Sequence, residues 1–190
     1  MTKEIEASFK TSADLKYNIG EENIVVIAKI SQKIIEAYRA GNKVVLFGNG
    51  GSAADAQHIA GELVSKYYKD RKGLPAMALH TNTSVLTAVA NDYDYSEIFA
   101  KQIEAFVNAG DVAIGLSTSG DSPNVIKGLE KAKELGALTV GFTGEKGRTM
   151  DKSAELVFNV PSRDTPRIQE AHITAGHIIC YLVERELLPD

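Results

Sequence analysis

The sequence predicts an α/β fold, a three-layer α/β/α sandwich on a five-stranded parallel sheet with added helices at the N-terminus. Three observations carry that expectation. Five short apolar runs, at 43–48, 75–80, 111–116, 137–142 and 155–160, are separated by helical patterns. Such runs divided by helices imply parallel strands, buried on both faces and joined by right-handed crossovers. Two of the runs lead into serine- and glycine-rich loops that each open the next helical pattern. Finally, 190 residues with 44% hydrophobic content can bury one full core.

Taken in order, residues 3–17 form a weakly amphipathic stretch whose sparse apolar members are Ile5, Phe9 and Leu15. A stronger helical pattern follows, with Ile24, Ile27, Ile30, Ile34, Ile35 and Tyr38 at spacings of three and four, until Gly41-Asn42 ends it. Residues 1–41 thus read as a helical segment used in assembly, attached to a single domain that spans the chain. Val44-Val45-Leu46-Phe47 is the first strand and runs into Gly48-Asn49-Gly50-Gly51-Ser52, ahead of a helix at 53–67. The run at 75–80 precedes helical patterns at 84–91 and 95–107. Val112-Ala113-Ile114-Gly115-Leu116 enters the second loop, Ser117-Thr118-Ser119-Gly120-Asp121-Ser122. Pro123 then suits the first position of a helix at 122–135. Strands at 137–142 and 155–160 and a helix at 164–187 complete the pattern.

Bulk properties exclude several roles. A net charge of −4 with no basic run argues against nucleic-acid or anionic-membrane surfaces. No apolar stretch approaches the roughly 20 residues that span a bilayer. Residues 1–10 carry acids and no apolar core of a secretion signal. The lone Cys180, among Ile178, Ile179 and Leu182, reads as an inert core thiol. The chain is expected to be cytoplasmic.

Small residues let a backbone approach a ligand closely, while hydroxyls and helix-start N–H groups donate to a phosphate. Ser117, Thr118, Ser119 and Ser122 are four hydroxyls within six residues, and Ser52 is a fifth contributor or only a helix cap. Gly48-x-Gly50-x-x-Ala53 fits a loose dinucleotide fingerprint, yet the second strand ends in His80-Thr81-Asn82 without the acid such a site needs. No Gly-Lys-Ser/Thr is present for a nucleotide phosphate loop. His58 and Glu62, four apart, share one helix face, as a metal pair, a base pair or only an exposed polar pair. On the last helix, Gln169 and His177 lie within about 80° of each other, and His172 falls about 60° to the other side. The two histidines therefore diverge, and His172 reads as a core residue. Gly176 costs that helix about 1 kcal/mol relative to alanine, which is tolerable where something must pack closely. Asp92 either aims a carboxylate into the site or makes an ordinary turn. His80 reads as a surface or interface histidine, and Lys66, Lys69, Arg71 and Lys72 as a solvated helix end.

Together, Gly48-Asn49-Gly50-Gly51-Ser52-Ala53-Ala54-Asp55-Ala56-Gln57-His58, Glu62, Ala90-Asn91-Asp92, Leu116-Ser117-Thr118-Ser119-Gly120, Ser122-Pro123-Asn124-Val125 and Arg167-Ile168-Gln169-Glu170-Ala171-His172 resemble the bacterial phosphoheptose isomerases, a group of sugar-isomerase (SIS) domain proteins. The resemblance covers about residues 20–187. It implies a flavodoxin-like SIS domain, a homotetramer with sites at subunit interfaces, and conversion of sedoheptulose 7-phosphate to D-glycero-D-manno-heptose 7-phosphate for lipopolysaccharide and related glycans. By the same resemblance, Glu62 is the base and His177 its partner acid/base. Zinc is held by His58, Glu62, Gln169 and His177. Ser52, Ser117, Thr118, Ser119 and Ser122 hold the phosphate beside Gly50 and Gly51, and Asn49, Asp92 and Gln169 meet the sugar. Two departures stand out. Lys66 replaces a common arginine and loses its planar fork, and Asp121 places a charge in the phosphate loop.

Ketose-to-aldose conversion needs a base to move a proton between adjacent carbons through an enediol, and an acid to shuttle protons between oxygens. Two other readings stand beside it. One is an SIS-domain adaptor that binds the replication initiator protein DnaA; such proteins tend to lack the equivalents of Glu62 and His177. The other is an SIS isomerase of a different phosphosugar.

Overall fold

The structure, a computed structural model, describes residues 1–145 and 148–188. In chain order it comprises α1 (Thr2–Tyr17), α2 (Glu21–Arg39), β1 (Val44–Gly48), α3 (Gly51–Val64), β2 (Ala76–Ala78) and α4 (Thr83–Asp92). A single 3-10 turn at Tyr95–Glu97 leads to α5 (Ile98–Phe106), β3 (Val112–Leu116), α6 (Pro123–Glu134) and β4 (Leu138–Thr143). The short α7 (Met150–Ser153), β5 (Leu156–Asn159) and α8 (Thr165–Leu187) follow. The five strands run parallel in the order β2-β1-β3-β4-β5. Val44 of β1 sits opposite Ala76 on one side and Val112 on the other.

The central strands lack polar alternation because helices cover both sheet faces, so every side chain of β1 and β3 is buried. Val44 and Leu46 of β1 join Val112, Ile114 and Leu116 of β3 in one core under α2, α3 and α8. Val45, Phe47 and Ala113 point the other way, into a second core under α5 and α6. The α2 face of Ile27, Ile30, Ile34 and Ile35 belongs to the first core, whereas α1 packs more loosely on α8 and leaves Ile5, Phe9 and Tyr17 exposed. Cys180 is buried in the same core, and burial pushes its thiol up to about 12.

Three elements differ from the sequence expectation. The second strand shortens to three residues because Thr81 turns back on its end, donating from Oγ1 to Ala78 O at 3.0 Å, and Asn82 then accepts from Val85 N at 3.2 Å to cap α4. α3 ends at Val64 rather than residue 67, because the chain beyond it is claimed by α8. The single turn α7 carries no apolar period long enough to read in advance. No helix among the described residues is long and apolar enough to cross a membrane.

Candidate active site

The sheet order reverses direction between β1 and β3, and ligands of open α/β sheets bind in the crevice at that point. Both small-residue loops open there. β1 leaves the sheet at Gly48, where a Cβ would lie 2.9 Å from Leu116 O, so the two loop backbones approach closely. Gly50 adopts φ +54°, a left-handed turn natural to glycine, and lets α3 begin at Gly51 with Ser52 buried beneath it. Asn49 and the buried Asn124 exchange two amide hydrogen bonds of 2.8 Å each, which bolts the first loop to the first turn of α6. Tyr95 Oη donates to Asn49 Oδ1 at 3.2 Å.

In the second loop, Ser117 Oγ lies 2.8 Å from Ser122 Oγ and 3.2 Å from Ser119 Oγ. The chain curls back because Gly120 takes φ +70°, and a Cβ there would strike Thr143 Oγ1. Asp121 turns away from the hydroxyls. Its carboxylate accepts from Thr149 N at 3.0 Å and Thr149 Oγ1 at 2.7 Å, bonds that hold it below the usual carboxylate range. The Asp121 charge therefore faces α7 and not the Ser117 cluster. Thr118 contributes its carbonyl to Gly144 N at 3.2 Å and keeps its side chain half-buried.

Helices α3 and α8 carry the other half of the site. A Cβ on Gly176 would stand 2.6 Å from Ile59 Cδ1, so this glycine lets the two helices touch. That approach brings His58 Nε2 within 2.8 Å of His177 Nε2 and 3.2 Å of Glu62 Oε1. One imidazole donates and the other accepts. One ligand atom from each of His58, Glu62 and His177 lies within 4.8 Å of the others. Gln169 packs its amide on Gly51, whose added Cβ would fall 2.4 Å from Gln169 Nε2. A pocket of about 330 Å³ beside His177 is lined by Tyr67, Tyr68, Thr174, Ile178 and Tyr181. Asp92 is exposed at the end of α4, and its carboxylate accepts from Asn91 Nδ2 at 2.9 Å.

His172 diverges from His177 and is fully buried, bonded through Nε2 to Thr143 O at 3.2 Å and set beside Phe142 and Phe158. Burial lowers its pKa to about 4. His80 is half-buried, with both ring nitrogens enclosed and burial lowering its pKa. The basic group after α3 is not a solvated helix end throughout. Lys66 and Lys72 are exposed, but the Arg71 side chain is only 3% exposed against Glu184. Sequence reasoning missed Asn124, Glu184 and Asp55. Asp55 precedes His58 by three residues, and burial lifts its carboxyl to about 6, with one oxygen enclosed and unpartnered. Its place one turn before His58 was the available signal.

Comparison with known proteins identifies the family. Residues 9–144 match the SIS domain family model. A phosphoheptose isomerase of Clostridium acetobutylicum is 53% identical over 185 residues, covering 96% of this chain and 94% of that protein. The solved phosphoheptose isomerase of Neisseria gonorrhoeae superimposes with a TM-score of 0.90 at 35% identity, over 96% of this chain and 98% of that one. The Francisella tularensis enzyme gives a TM-score of 0.92 at 31% identity, over 97% and 98%. With a serine-lined loop at the switch point and a histidine–glutamate–histidine cluster between two helices, the chain belongs to the phosphoheptose isomerase family of SIS-domain proteins.

Proposed function

We propose that this protein is an aldose–ketose isomerase that converts sedoheptulose 7-phosphate to D-glycero-D-manno-heptose 7-phosphate in the cytoplasm. The observation that carries the reading is the His58–Glu62–His177 cluster, a carboxylate beside two touching imidazoles on adjoining helices. From Gly51 to His58, seven residues of α3 rise about 10 Å, a span that an open-chain sugar phosphate covers with its phosphate at the loops. Ser52, Ser117, Thr118, Ser119 and Ser122, with the backbone at Gly50 and Gly51, then receive the phosphate. Asn49 and Asp92 meet the sugar hydroxyls.

Glu62 takes the proton from C1 of the ketose and returns it to C2, while His177 carries a proton between the two oxygens through the enediol. No electrons leave the substrate, because one carbon is oxidised as its neighbour is reduced. The donor set fits a zinc ion. Nitrogen ligands about 2.0 Å from a tetrahedral ion stand roughly 3.3 Å apart, so the two imidazoles at 2.8 Å need only a small separation. His58, Glu62 and His177 would hold the ion with the Gln169 amide oxygen as a weaker fourth ligand. The chemistry a bound zinc supplies is Lewis-acid polarisation of the substrate carbonyl.

We infer further that the chain works as a homotetramer with sites at subunit interfaces, using residues 1–41 in assembly. Exposed Ile5, Phe9 and Tyr17 on α1 and Ile24 and Val25 on α2 support that inference. The first test is proton NMR of the zinc-loaded protein with sedoheptulose 7-phosphate in D₂O. Aldose signals with deuterium at C2 are expected. Absence of both product and exchange would refute the assignment.

A further inference from the structure

The segment 65–72 leaves α3 and folds back over α8, where one buried carboxylate receives it. Glu184 Oε1 accepts from Tyr68 N at 2.7 Å and Lys69 N at 2.9 Å, while Oε2 accepts from Tyr67 N at 3.1 Å and Arg71 Nε at 2.8 Å. Arg71 spends its other donors on carbonyls, giving Nη2 to Glu62 O at 3.0 Å and Nη1 to Leu63 O at 2.9 Å. Those two carbonyls end α3 and have no helical partner, and a guanidinium also suits the negative end of the helix dipole. Both side chains of the ion pair are 3% exposed.

Burying such a pair costs desolvation, and an apolar pair of similar shape often stabilises as well, so stability alone does not account for it. What an ion pair with a planar fork supplies is fixed direction. Glu184 lies seven residues beyond His177, two turns on and on nearly the same face of α8. Arg71 bonds the backbone of Glu62 itself. The same segment sets the Tyr67 ring 6.0 Å from the His177 ring.

We propose that Glu184 and Arg71 are positioning residues for isomerisation, fixing the Glu62 turn of α3 at the distance from His177 that proton transfer requires. This inference rests on the roles proposed for Glu62 and His177. Residue by residue, the link runs from Glu62 O through Arg71 to Glu184 and along α8 to His177. Neither positioning residue touches the serine loop.

The test uses the full-length zinc-loaded protein and the variants Glu184→Gln and Arg71→Lys, assayed well below their melting temperatures. Turnover (kcat) is expected to fall about 10–100-fold, as when residues behind metal ligands are changed, with KM for sedoheptulose 7-phosphate within about twofold. Zinc alone, titrated calorimetrically into the metal-free protein, should bind about 10-fold or more weakly. Arg71→Lys keeps the charge but loses the fork to two carbonyls, and it decides the matter if Glu184→Gln does not fold. Folded variants with unchanged kcat and zinc affinity would overturn the positioning role and leave a merely stabilising pair. Should Glu62→Gln retain turnover, the underlying catalytic reading fails. Zinc affinity, which needs no turnover, still judges the positioning separately.

Discussion

Replacing Gly51 by alanine should move stability and activity in opposite directions. Gly51 is the first residue of α3 and has no positive φ, so an alanine backbone is unstrained there. Loss of glycine's conformational freedom should stabilise the fold by up to about 1 kcal/mol. The new Cβ, however, would sit 2.4 Å from Gln169 Nε2, 2.9 Å from its Cδ and 3.0 Å from its Oε1. Ordinary contact between such atoms begins near ~3.5 Å, so the overlap is about 1 Å and the flexible glutamine must swing away. Zinc affinity and kcat should then drop about 10–100-fold while the melting temperature holds or rises. Calorimetric zinc titration, steady-state kinetics and thermal unfolding read the three quantities, with Gln169→Ala as a control that loses activity without gaining stability. Unchanged zinc binding and turnover would mean that Gln169 does not act from its place over Gly51.

Other outcomes can be checked alongside. Glu62→Gln keeps shape and the serine loop but removes the base, so turnover should fall by at least about 10²-fold with phosphate binding intact; retained turnover removes Glu62 from the mechanism. Burial alone would raise the Glu184 carboxyl, yet backbone N–H groups of Tyr68, Lys69 and Tyr67 and the Arg71 side chain hold it at about 2, below its usual 4.5. Because the folded value is depressed, its contribution is complete above pH 4.5 and lost as pH falls towards 2. Denaturant titrations between those limits should slope less steeply for Glu184→Gln than for the unsubstituted chain, and equal slopes would contradict the assignment. Asp55 has the opposite sign, since burial lifts it from 3.8 to about 6 and its ionised form opposes folding as pH rises through that range. Asp55→Asn should therefore stabilise the metal-free chain at pH 8 by about 1 kcal/mol, a figure reduced for partial exposure; no gain in urea unfolding would refute it.

Local pattern carried far in this chain. The apolar runs announced the strands because a parallel strand covered on both faces shows its burial in every residue, as Val44 to Phe47 do. The two small-residue loops announced where β1 and β3 leave the sheet at the switch point, and the four-residue spacing of His58 and Glu62 announced a shared helix face. Even the separation of His172 from His177 followed from the helical period. Each of these signals lies within one element, where periodicity alone sets which side chains are neighbours.

Tertiary structure decided everything that joins distant elements. His58 meets His177 across 119 positions, Asn49 pairs with Asn124 across 75, and Arg71 reaches Glu184 across 113. Hydrophobic period reports that one face of α3 and one face of α8 are covered, but not by what. That the two helices cover each other depends on the strand order at the switch point and on Gly176 admitting Ile59. Hence a basic cluster that locally resembles a solvated helix end contains a buried arginine that ties the end of α3 to α8. Sequence by itself determined the elements, the loops and the donor types; packing between segments 75 to 119 residues apart determined which donors meet, because a contact's energy depends on spatial neighbours that periodicity does not encode.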